Sequence, residues 1–288
     1  MVDERNFEKP IVSVIIPTFN RPQYLKDCID SVLKQTYQNF EVLVVDNSSE
    51  DFVEKNKEVS LEFNDSRLKY FRIGEENEAQ EARLFGVKKS KGKFFGFLDD
   101  DDIWVPGKLE KQLNVFDENT GLVSCFALNK AVEKNFSGRE SKESEVQTFI
   151  YTDLLKQYRL GTASTFLVLQ DAFNEVNGFD VDFPAAIDHD FGLRIAQHYT
   201  VKMIPLVLVE RNAPEGHTSS NFGKRIRGHI CLYRRHGKNF KKLGVKTGVL
   251  LHLKMVGWLS ILFFGLVFGF SEKRIEDAFG FFRSLLVR

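Results

Sequence analysis

The stretch Phe94-Phe95-Gly96-Phe97-Leu98-Asp99-Asp100-Asp101-Asp102 joins a continuous apolar run to four consecutive aspartates. A short apolar run of this kind is typical of a strand that is covered on both faces, as in a parallel sheet. The run Val42-Leu43-Val44-Val45 has the same character and ends at Asp46. In open α/β sheets ligands bind beyond the carboxyl ends of the strands. The pattern therefore predicts that Asp46 and the four aspartates face one crevice.

Apolar and amphipathic segments alternate along the first half of the chain. They predict strands at 11–17, 41–46 and 94–98 and helices at 24–34, 77–89 and 106–117. This order is typical of an α/β fold with a mainly parallel central sheet and flanking helices. Beyond Gly121 we expect shorter strands at 122–128, 164–169 and 201–209, with helices near 152–158 and 188–198.

The composition is that of an ordinary globular protein. The chain has 288 residues, enough for one large domain with an extension, and its 40 basic residues balance 40 acidic ones. Global charge therefore gives no reason to expect a nucleic-acid partner. The cysteines Cys28, Cys125 and Cys231 lie far apart, which argues against a disulfide framework or a zinc site. Because the first residues also lack the apolar run of a secretory signal, we expect a cytoplasmic protein.

The four aspartates are the strongest chemical signal in the chain. Carboxylates this close raise one another's pKa unless a cation neutralises them. Mg²⁺ and Mn²⁺ prefer hard oxygen ligands and take further ligands from water and substrate phosphates. The cluster therefore predicts a divalent cation site that binds a diphosphate. The alternative is an acidic helix start, and we expect Asp102 or a neighbour to cap the helix at 106–117 as well; one cap does not need four carboxylates.

Four motifs resemble, in the same order, those of glycosyltransferase family 2, whose enzymes have the Rossmann-like GT-A fold. The resemblance covers most of residues 11–220. The motifs are Ser13-Val14-Ile15-Ile16-Pro17-Thr18-Phe19-Asn20-Arg21, then Val44-Val45-Asp46-Asn47-Ser48-Ser49, then Asn77, Arg83 and Gly86 on one helix, and finally Phe97-Leu98-Asp99-Asp100-Asp101-Asp102-Ile103-Trp104.

The resemblance implies a nucleoside diphosphate sugar as the donor and Mn²⁺ or Mg²⁺ as the cofactor. In the matching positions, Pro17, Thr18 and Asn20 would line the nucleotide pocket, Asp46 would contact the base or ribose, and Arg83 would lie near the diphosphate. Asp99 and Asp100 also belong to the implied donor site. The implied metal ligands are Asp101, which we prefer as the direct ligand, Asp99, and His217 in a loop resembling the family's His-x-x-Ser segment.

A catalytic base is implied by Ile187-Asp188-His189-Asp190-Phe191-Gly192-Leu193-Arg194, which resembles the family's Glu-Asp-x-x-Leu-x-x-Arg segment. Asp188 takes the base position. Ile187 replaces an acidic residue, so the choice between Asp188 and Asp190 stays open, as does a pure helix cap at Asp188. Just upstream, Asn177-Gly178-Phe179-Asp180 resembles the family's Gly-Gly-Phe-Asp turn, and asparagine tolerates the positive φ that such a turn requires.

The residues together predict a metal-dependent transfer of one sugar to a hydroxyl of a glycan or lipid-linked acceptor, with inversion. A sugar nucleotidyltransferase is one alternative, but Pro17-Thr18-Phe19-Asn20 lacks the glycine-rich phosphate loop that we expect there. A non-catalytic nucleotide-sugar-binding or assembly subunit is another, because of the departure at Ile187. Trp104 fits either sugar stacking or core packing.

The last part of the chain predicts a helical tail that is basic and hydrophobic. Residues 224–242 are rich in Lys and Arg, and 249–270 are almost entirely apolar. We expect a membrane-surface anchor first, a single span second, and a helix covering the domain or a second copy in a homodimer third. The basic residues favour the inner face of the cell membrane. We thus predict a catalytic domain at 1–220, with nucleotide-binding (11–118) and acceptor (119–220) halves, and a tail at 221–288.

Overall fold

A computed structural model describes residues 11–75, 77–129, 145–212 and 222–242. The chain forms two compact units, residues 1–217 and 218–288. The first contains β1 (Val12–Thr18), α1 (Pro22–Leu33), β2 (Phe40–Asp46), α2 (Glu50–Leu61), β3 (Leu68–Arg72), α3 (Ala79–Lys89), β4 (Phe94–Phe97), β5 (Asp102–Trp104), α4 (Lys108–Leu113), β6 (Thr120–Asn129), β7 (Gln147–Phe149), α5 (Tyr151–Lys156), a 3-10 turn (Ala163–Thr165), β8 (Leu167–Leu169), α6 (Gln170–Glu175), α7 (Ile187–Ile195) and β9 (Thr200–Arg211). In the second unit the structure describes α8 (Phe222–Lys242).

Within the described residues, nine strands form one sheet in the order β3-β2-β1-β4-β8-β6-β9-β5, with β7 paired to β9. Strand β1 is parallel to β2 and β4, β2 is parallel to β3, and β6 is parallel to β9. Strand β8 is antiparallel to both β4 and β6. Strands β1, β2, β3, β4, β6 and β9 therefore all run in one direction. Their carboxyl ends share one edge, which brings Asp46 and the aspartate cluster to the same side of the sheet as predicted.

Both faces of the central strands are covered, as the continuous apolar runs predicted. All residues of β1, β2 and β4 are buried. On one face, Val14 of β1 lies in a core cluster with Leu25 and Ile29 of α1. On the other, α3 approaches β1 so closely that a Cβ on Gly86 would lie 2.5 Å from Cγ2 of Ile15. Side-chain alternation along a strand thus supplies a core on each face.

The second half of the domain packs through phenylalanine rings. Phe95 and Phe97 of β4 contact Phe173 of α6 with ring centroids 5.4 and 6.0 Å apart. Phe179 lies 5.0 Å from Phe97 and 4.4 Å from Phe191 of α7. Ring pairs at these separations add to the stabilisation that burial provides. They join α6 and α7 to β4, the strand that leads into the aspartate cluster.

The predicted helix at 106–117 is shorter in the structure, and its expected cap is wrong. Helix α4 begins after Gly107, which has a φ of 82°, so Pro106 lies outside it. Asp102 starts strand β5 and pairs with Arg211 of β9. Ile103 and Trp104 favour a strand, and β9 offers them an antiparallel partner. Asp102 is therefore a strand residue, and helix capping does not explain the cluster.

The predicted fold class is confirmed, with antiparallel pairings concentrated in the second half of the sheet. The predicted strand at 164–169 divides into the 3-10 turn and β8. Among the helices that the structure describes, none has the length and apolar character that crossing a bilayer requires. His217 and the apolar segment 249–270 lie outside the described residues.

Candidate active site

The aspartate cluster is buried and held by groups from the loop after β1. The side chain of Asp100 accepts hydrogen bonds from Thr18 Oγ1 at 2.9 Å and from the Phe19 backbone N–H at 3.2 Å. Arg21 Nη1 lies 3.3 Å from Asp100 Oδ1 and 2.8 Å from Asp101 Oδ2. Asp100, Asp101 and Asp102 are at most 5% exposed. The run is thus an internal site rather than a solvated acidic surface.

The cluster carries more negative charge than Arg21 neutralises. Burial raises the pKa of Asp100 to about 7, against the lowering effect of Arg21. Burial, with the charge of Asp99 added, raises the pKa of Asp102 to about 8. Carboxyl groups in this condition bind a cation favourably, because it relieves both the repulsion and the loss of hydration.

Arg83 extends the site along α3. Its guanidinium pairs with Asp99, whose side chain is 31% exposed, while Arg83 itself is buried. Arg83 Nε has no hydrogen-bond partner among the described residues. A buried donor without a partner costs roughly 1–3 kcal/mol, so this N–H is available to a bound anion. The structure therefore brings Arg83 and Asp99 together at the crevice.

The loop after β1 is tied to the loop after β2 through Asn20. Its backbone N–H donates to Ser48 Oγ at 2.7 Å, and its Oδ1 accepts from the Ser49 N–H at 3.0 Å. Asn20 has a φ of 57°, in the left-handed region that asparagine tolerates. Pro17 and Thr18 are buried at the end of β1. These three residues lie at the crevice edge, and their contact with a nucleotide stays a prediction.

Asp46 is fully buried, and its carboxylate is already hydrogen-bonded inside the protein. It accepts from the Ser48 N–H at 2.8 Å, Asn56 Nδ2 at 3.0 Å and the Tyr70 hydroxyl at 2.5 Å. The described geometry thus gives Asp46 a role in shaping the loop after β2. Its predicted contact with a base or ribose stays a prediction.

Asp188 is the second residue of α7 and is only partly exposed. Burial raises its pKa to about 6; Arg83 lowers it, Asp99 raises it, and the Ala163 backbone N–H donates to it. The charges of Arg83 and Asp99 therefore reach Asp188, which lies on the aspartate side of the crevice. Asp190 has 0% exposure and pairs with Arg194 Nε at 2.7 Å. Of the two carboxylates, Asp188 is the one that a substrate can reach.

Departures from the family pattern around Asp188 have structural explanations. His189 stacks on Tyr158 with ring centroids 4.0 Å apart, so it packs as an aromatic residue would. A Cβ on Gly192 would lie 2.7 Å from Leu160 Cδ1, so a larger residue on this helix face would have to move the Leu160 side chain. Asn177 and Gly178 have φ of 56° and 67°, which confirms that the turn tolerates asparagine.

Trp104 is a core residue rather than a sugar-stacking surface. It is 1% exposed, and its Nε1–H donates to the Ser164 carbonyl oxygen at 2.9 Å. Its ring lies over Gly96, where a Cβ would be 2.7 Å from Cη2. The Lys108 ammonium lies 3.9 Å from the ring centre. Of the two interpretations of Trp104, core packing is correct.

Two arginines of the site received no role from the sequence. Arg21 contacts Asp100 and Asp101, and Arg211 Nε lies 3.7 Å from Asp102 Oδ2. Arg21 lies three residues after the end of β1, and Arg211 is the last residue of β9. Both positions lie at the carboxyl edge of the sheet, so the rule that located the aspartates could also have located these cations.

The carboxylates fit a cation that takes most of its ligands from elsewhere. In the described part of the chain, no group of three or more His, Cys, Asp and Glu side chains forms a ready metal cage. A Mg²⁺ or Mn²⁺ bound through a diphosphate needs only one or two carboxylates. Asp99 and Asp101 stay the predicted ligands; in the structure Asp99 pairs with Arg83, and Asp101 pairs with Arg21.

Comparison with known proteins identifies the family of this chain. The model of glycosyl transferase family 2 matches residues 13–176, more than half of the chain. A Rickettsia bellii protein named as an uncharacterized glycosyltransferase is 31% identical over 208 residues, which are 70% of this chain and 29% of that protein. The Escherichia coli UDP-Glc:alpha-D-GlcNAc-diphosphoundecaprenol beta-1,3-glucosyltransferase WfgD is 36% identical over 157 residues, 54% of this chain and 60% of that enzyme.

The fold recurs in the mannosyltransferase PcManGT from Pyrobaculum calidifontis, solved in complex with GDP-Man and Mn²⁺. The TM-score is 0.61 at 19% identity, covering 86% of this chain and 70% of that one. The chain spans less than two thirds of the length of the two relatives above. Because the family model matches residues 13–176, a range that contains the first sheet strands, α3 and the aspartate cluster, the chain belongs to glycosyltransferase family 2.

Proposed function

We propose that this chain transfers a sugar from a nucleoside diphosphate donor to a hydroxyl of a glycan or lipid-linked acceptor, with a divalent cation and with inversion. The observation that carries the proposal is the buried aspartate run at the carboxyl edge of the parallel strands, with Arg83 paired to Asp99. The charges of that pair also act on the pKa of Asp188, the candidate base. WfgD, by its name, uses UDP-Glc and a diphosphoundecaprenol-linked acceptor, and PcManGT binds GDP-Man with Mn²⁺. Both names support this substrate class.

On the donor side, Asp101 and Asp99 would hold the cation. When bound, the cation supplies neutralisation of the negative charge that develops on the departing diphosphate. Arg83 is the protein's own contribution here. It is buried beside Asp99, and its Nε–H can donate to a diphosphate oxygen without first losing another partner. The arginine thus orients the leaving group.

On the acceptor side, Asp188 would take the proton. The acceptor oxygen forms a bond to the anomeric carbon, the bond from that carbon to the diphosphate oxygen breaks, and the hydroxyl proton passes to the Asp188 carboxylate. A single displacement of this kind inverts the anomeric configuration. Burial keeps the pKa of Asp188 at about 6, so the carboxylate is ionised at neutral pH yet more basic than an exposed one.

The first test is calorimetric binding of a panel of nucleoside diphosphates, with Mn²⁺ and then with a chelator. We expect one nucleotide to bind in a metal-dependent way. Asp101→Ala should lose that binding and all turnover, whereas Asp188→Asn should keep the binding and lose turnover by a thousandfold or more. Asp182→Asn, at an exposed loop position, is the matched control.

Other outcomes distinguish the alternative functions. Nucleotide binding without turnover for any sugar donor would favour the non-catalytic binding subunit. Formation of a nucleotide sugar from a nucleoside triphosphate and a sugar phosphate would favour the nucleotidyltransferase. Substantial turnover by Asp188→Asn would remove Asp188 from the base role.

We also propose that the second unit attaches the protein to the inner face of the cell membrane as a peripheral protein. Lys224, Arg227, Arg234 and Lys238 of α8 are exposed. Their spacing places them along one stripe of the helix. Basic residues near a membrane surface gain about 1 kcal/mol each from anionic lipids.

A further inference from the structure

A cleft of about 250 Å³ opens in the first unit beside the ends of β6 and β9. The lining residues that the structure describes combine two cations with small and apolar groups, and none of them is acidic. They are Cys125, Phe126, Ala127, Arg159, Gly161, Thr162 and Arg211. The charge of this cleft is therefore opposite to that of the aspartate cluster.

The cleft is linked to the aspartate cluster through Arg211. Arg211, at the end of β9, lies on the carboxyl edge of the sheet, and its Nε is 3.7 Å from Asp102 Oδ2. Its charge also reaches Asp188. Thr162 directly precedes Ala163, whose backbone N–H donates to Asp188. Arg211 thus belongs both to the cleft and to the surroundings of the aspartate cluster.

Two polar atoms at the cleft have unmet hydrogen-bonding capacity. Thr162 Oγ1 and Arg211 Nε are both buried, and neither has a hydrogen-bond partner among the described residues. Leaving such atoms without partners costs roughly 1–3 kcal/mol each. A bound group with acceptor oxygens would remove that cost. Guanidinium groups bind phosphate oxygens well because their N–H groups form a planar fork.

We propose that this cleft binds a phosphoryl group of the acceptor, whose sugar hydroxyl then faces Asp188. Arg159 and Arg211 contact the anionic oxygens, Thr162 adds a hydroxyl donor, and Phe126 and Ala127 contact the carbon part of the same molecule. This assignment rests on the proposed glycosyl transfer and adds the acceptor's chemical class, a phosphate-bearing sugar or glycolipid.

The test uses the full chain and hexyl phosphate as the probe, with hexanol and inorganic phosphate as comparisons. The nucleoside diphosphate and Mn²⁺ are present at saturation, so the donor site is filled. Calorimetry should detect binding of hexyl phosphate and no binding of hexanol. Arg159→Ala and Arg211→Lys should each weaken the binding of hexyl phosphate roughly tenfold or more, because a charge-assisted hydrogen bond contributes about 1.5–3 kcal/mol. The lysine keeps a positive charge opposite Asp102 and so preserves the fold.

Lys91→Ala is the matched control, since Lys91 is an exposed cation that lies neither in the cleft nor in the proposed donor site. It should leave hexyl phosphate binding unchanged. Displacement of the nucleotide by hexyl phosphate would assign the anion to the donor site and overturn the proposal. An equal loss of hexyl phosphate binding in Lys91→Ala and in the two cleft variants would overturn it as well, because the effect would then be one of general charge. Inorganic phosphate binding as tightly as hexyl phosphate would make the cleft a free-anion site, which also overturns it.

The two proposals fail in different ways. Absence of nucleoside diphosphate binding in the wild-type protein counts against glycosyl transfer itself. Normal nucleotide binding without hexyl phosphate binding overturns only the assignment of the cleft.

Discussion

At the scale of single residues, the surroundings of Asp188, more than its position in the motif, make it the candidate base. Asp190 is two residues away, yet it is fully buried and paired with Arg194, which fixes the helix instead of facing substrate. Asp188 remains partly exposed, with a pKa raised to about 6. The value of kcat/KM reports ionisation in the free enzyme. We therefore expect it to fall about tenfold per pH unit below pH 6 and to level off above it.

The raised pKa of Asp188 also has a consequence for stability. The folded state binds the proton more tightly than the unfolded state, whose carboxyl has a pKa near 3.8. The charged form thus destabilises the fold, fully so above pH 6 and progressively less as the pH falls towards 4. Asp188→Asn should melt at a higher temperature than wild type at pH 7, and the difference should shrink at pH 4. A lower melting temperature at pH 7 would contradict this.

Arg21 gives a second prediction at the residue scale. It is the cation in contact with both Asp100 and Asp101, so Arg21→Ala leaves two buried carboxylates less compensated. We expect the variant to melt below wild type in chelator, because uncompensated buried charge is costly. Added Mn²⁺ should raise the melting temperature of Arg21→Ala more than that of wild type. Lys26→Ala, which removes an exposed ion pair, is the control. Equal Mn²⁺ effects would show that Arg21 does not neutralise the metal carboxylates.

At the scale of elements, the sequence predicted the parts of the fold that depend on local pattern. Continuous apolar runs predicted the buried strands β2 and β4. The acidic residues at the ends of these runs lie at the carboxyl edge of the sheet, as expected for parallel strands. The start of α4 was not predictable in this way, because Asp102 takes part in a strand whose partner, Arg211, lies far along the chain. Arg211 reaches the site only through that long-range pairing, which local spacing does not contain.

The packing of α3 against β1 leads to a prediction about Gly86. Alanine there would gain about 1 kcal/mol of helix propensity. Its Cβ would lie 2.5 Å from Cγ2 of the fully buried Ile15, and overpacking of this kind costs about 1–3 kcal/mol. The two effects leave a net loss of about 0–2 kcal/mol, so we expect the free energy of unfolding in urea to fall by about 1 kcal/mol in Gly86→Ala. It should also bind nucleotide more weakly, because the displaced helix carries Arg83. Lys88→Ala, exposed on the same helix, should change neither the stability in urea nor the nucleotide affinity. If Gly86→Ala were as stable as wild type, the contact with Ile15 would relax without cost.

At the scale of the whole molecule, the charge distribution is uneven although the net charge is zero. Residues 222–242 contain eight basic residues and no acidic one, so the rest of the chain is net negative by the same amount. A chain with this asymmetry can be attracted to anionic lipid through one segment while its remainder is repelled. Membrane affinity should therefore depend on particular positions and on salt rather than on total charge.

The corresponding prediction compares two triple variants that remove the same charge. Arg227→Gln, Arg234→Gln and Lys238→Gln neutralise the exposed stripe of α8, at a cost of about 1 kcal/mol each in attraction to anionic lipid. We expect partition onto vesicles with 30% phosphatidylserine to weaken about a hundredfold at low salt. Lys57→Gln, Lys88→Gln and Lys91→Gln, exposed in the first unit, should have little effect. Salt screens such attraction. Raising the salt concentration from about 0.05 to about 0.5 M should therefore lower the vesicle affinity of wild type to nearly that of the α8 variant. Equal losses in both variants, or undiminished binding to neutral vesicles, would mean that the charges of α8 do not hold the protein at the membrane.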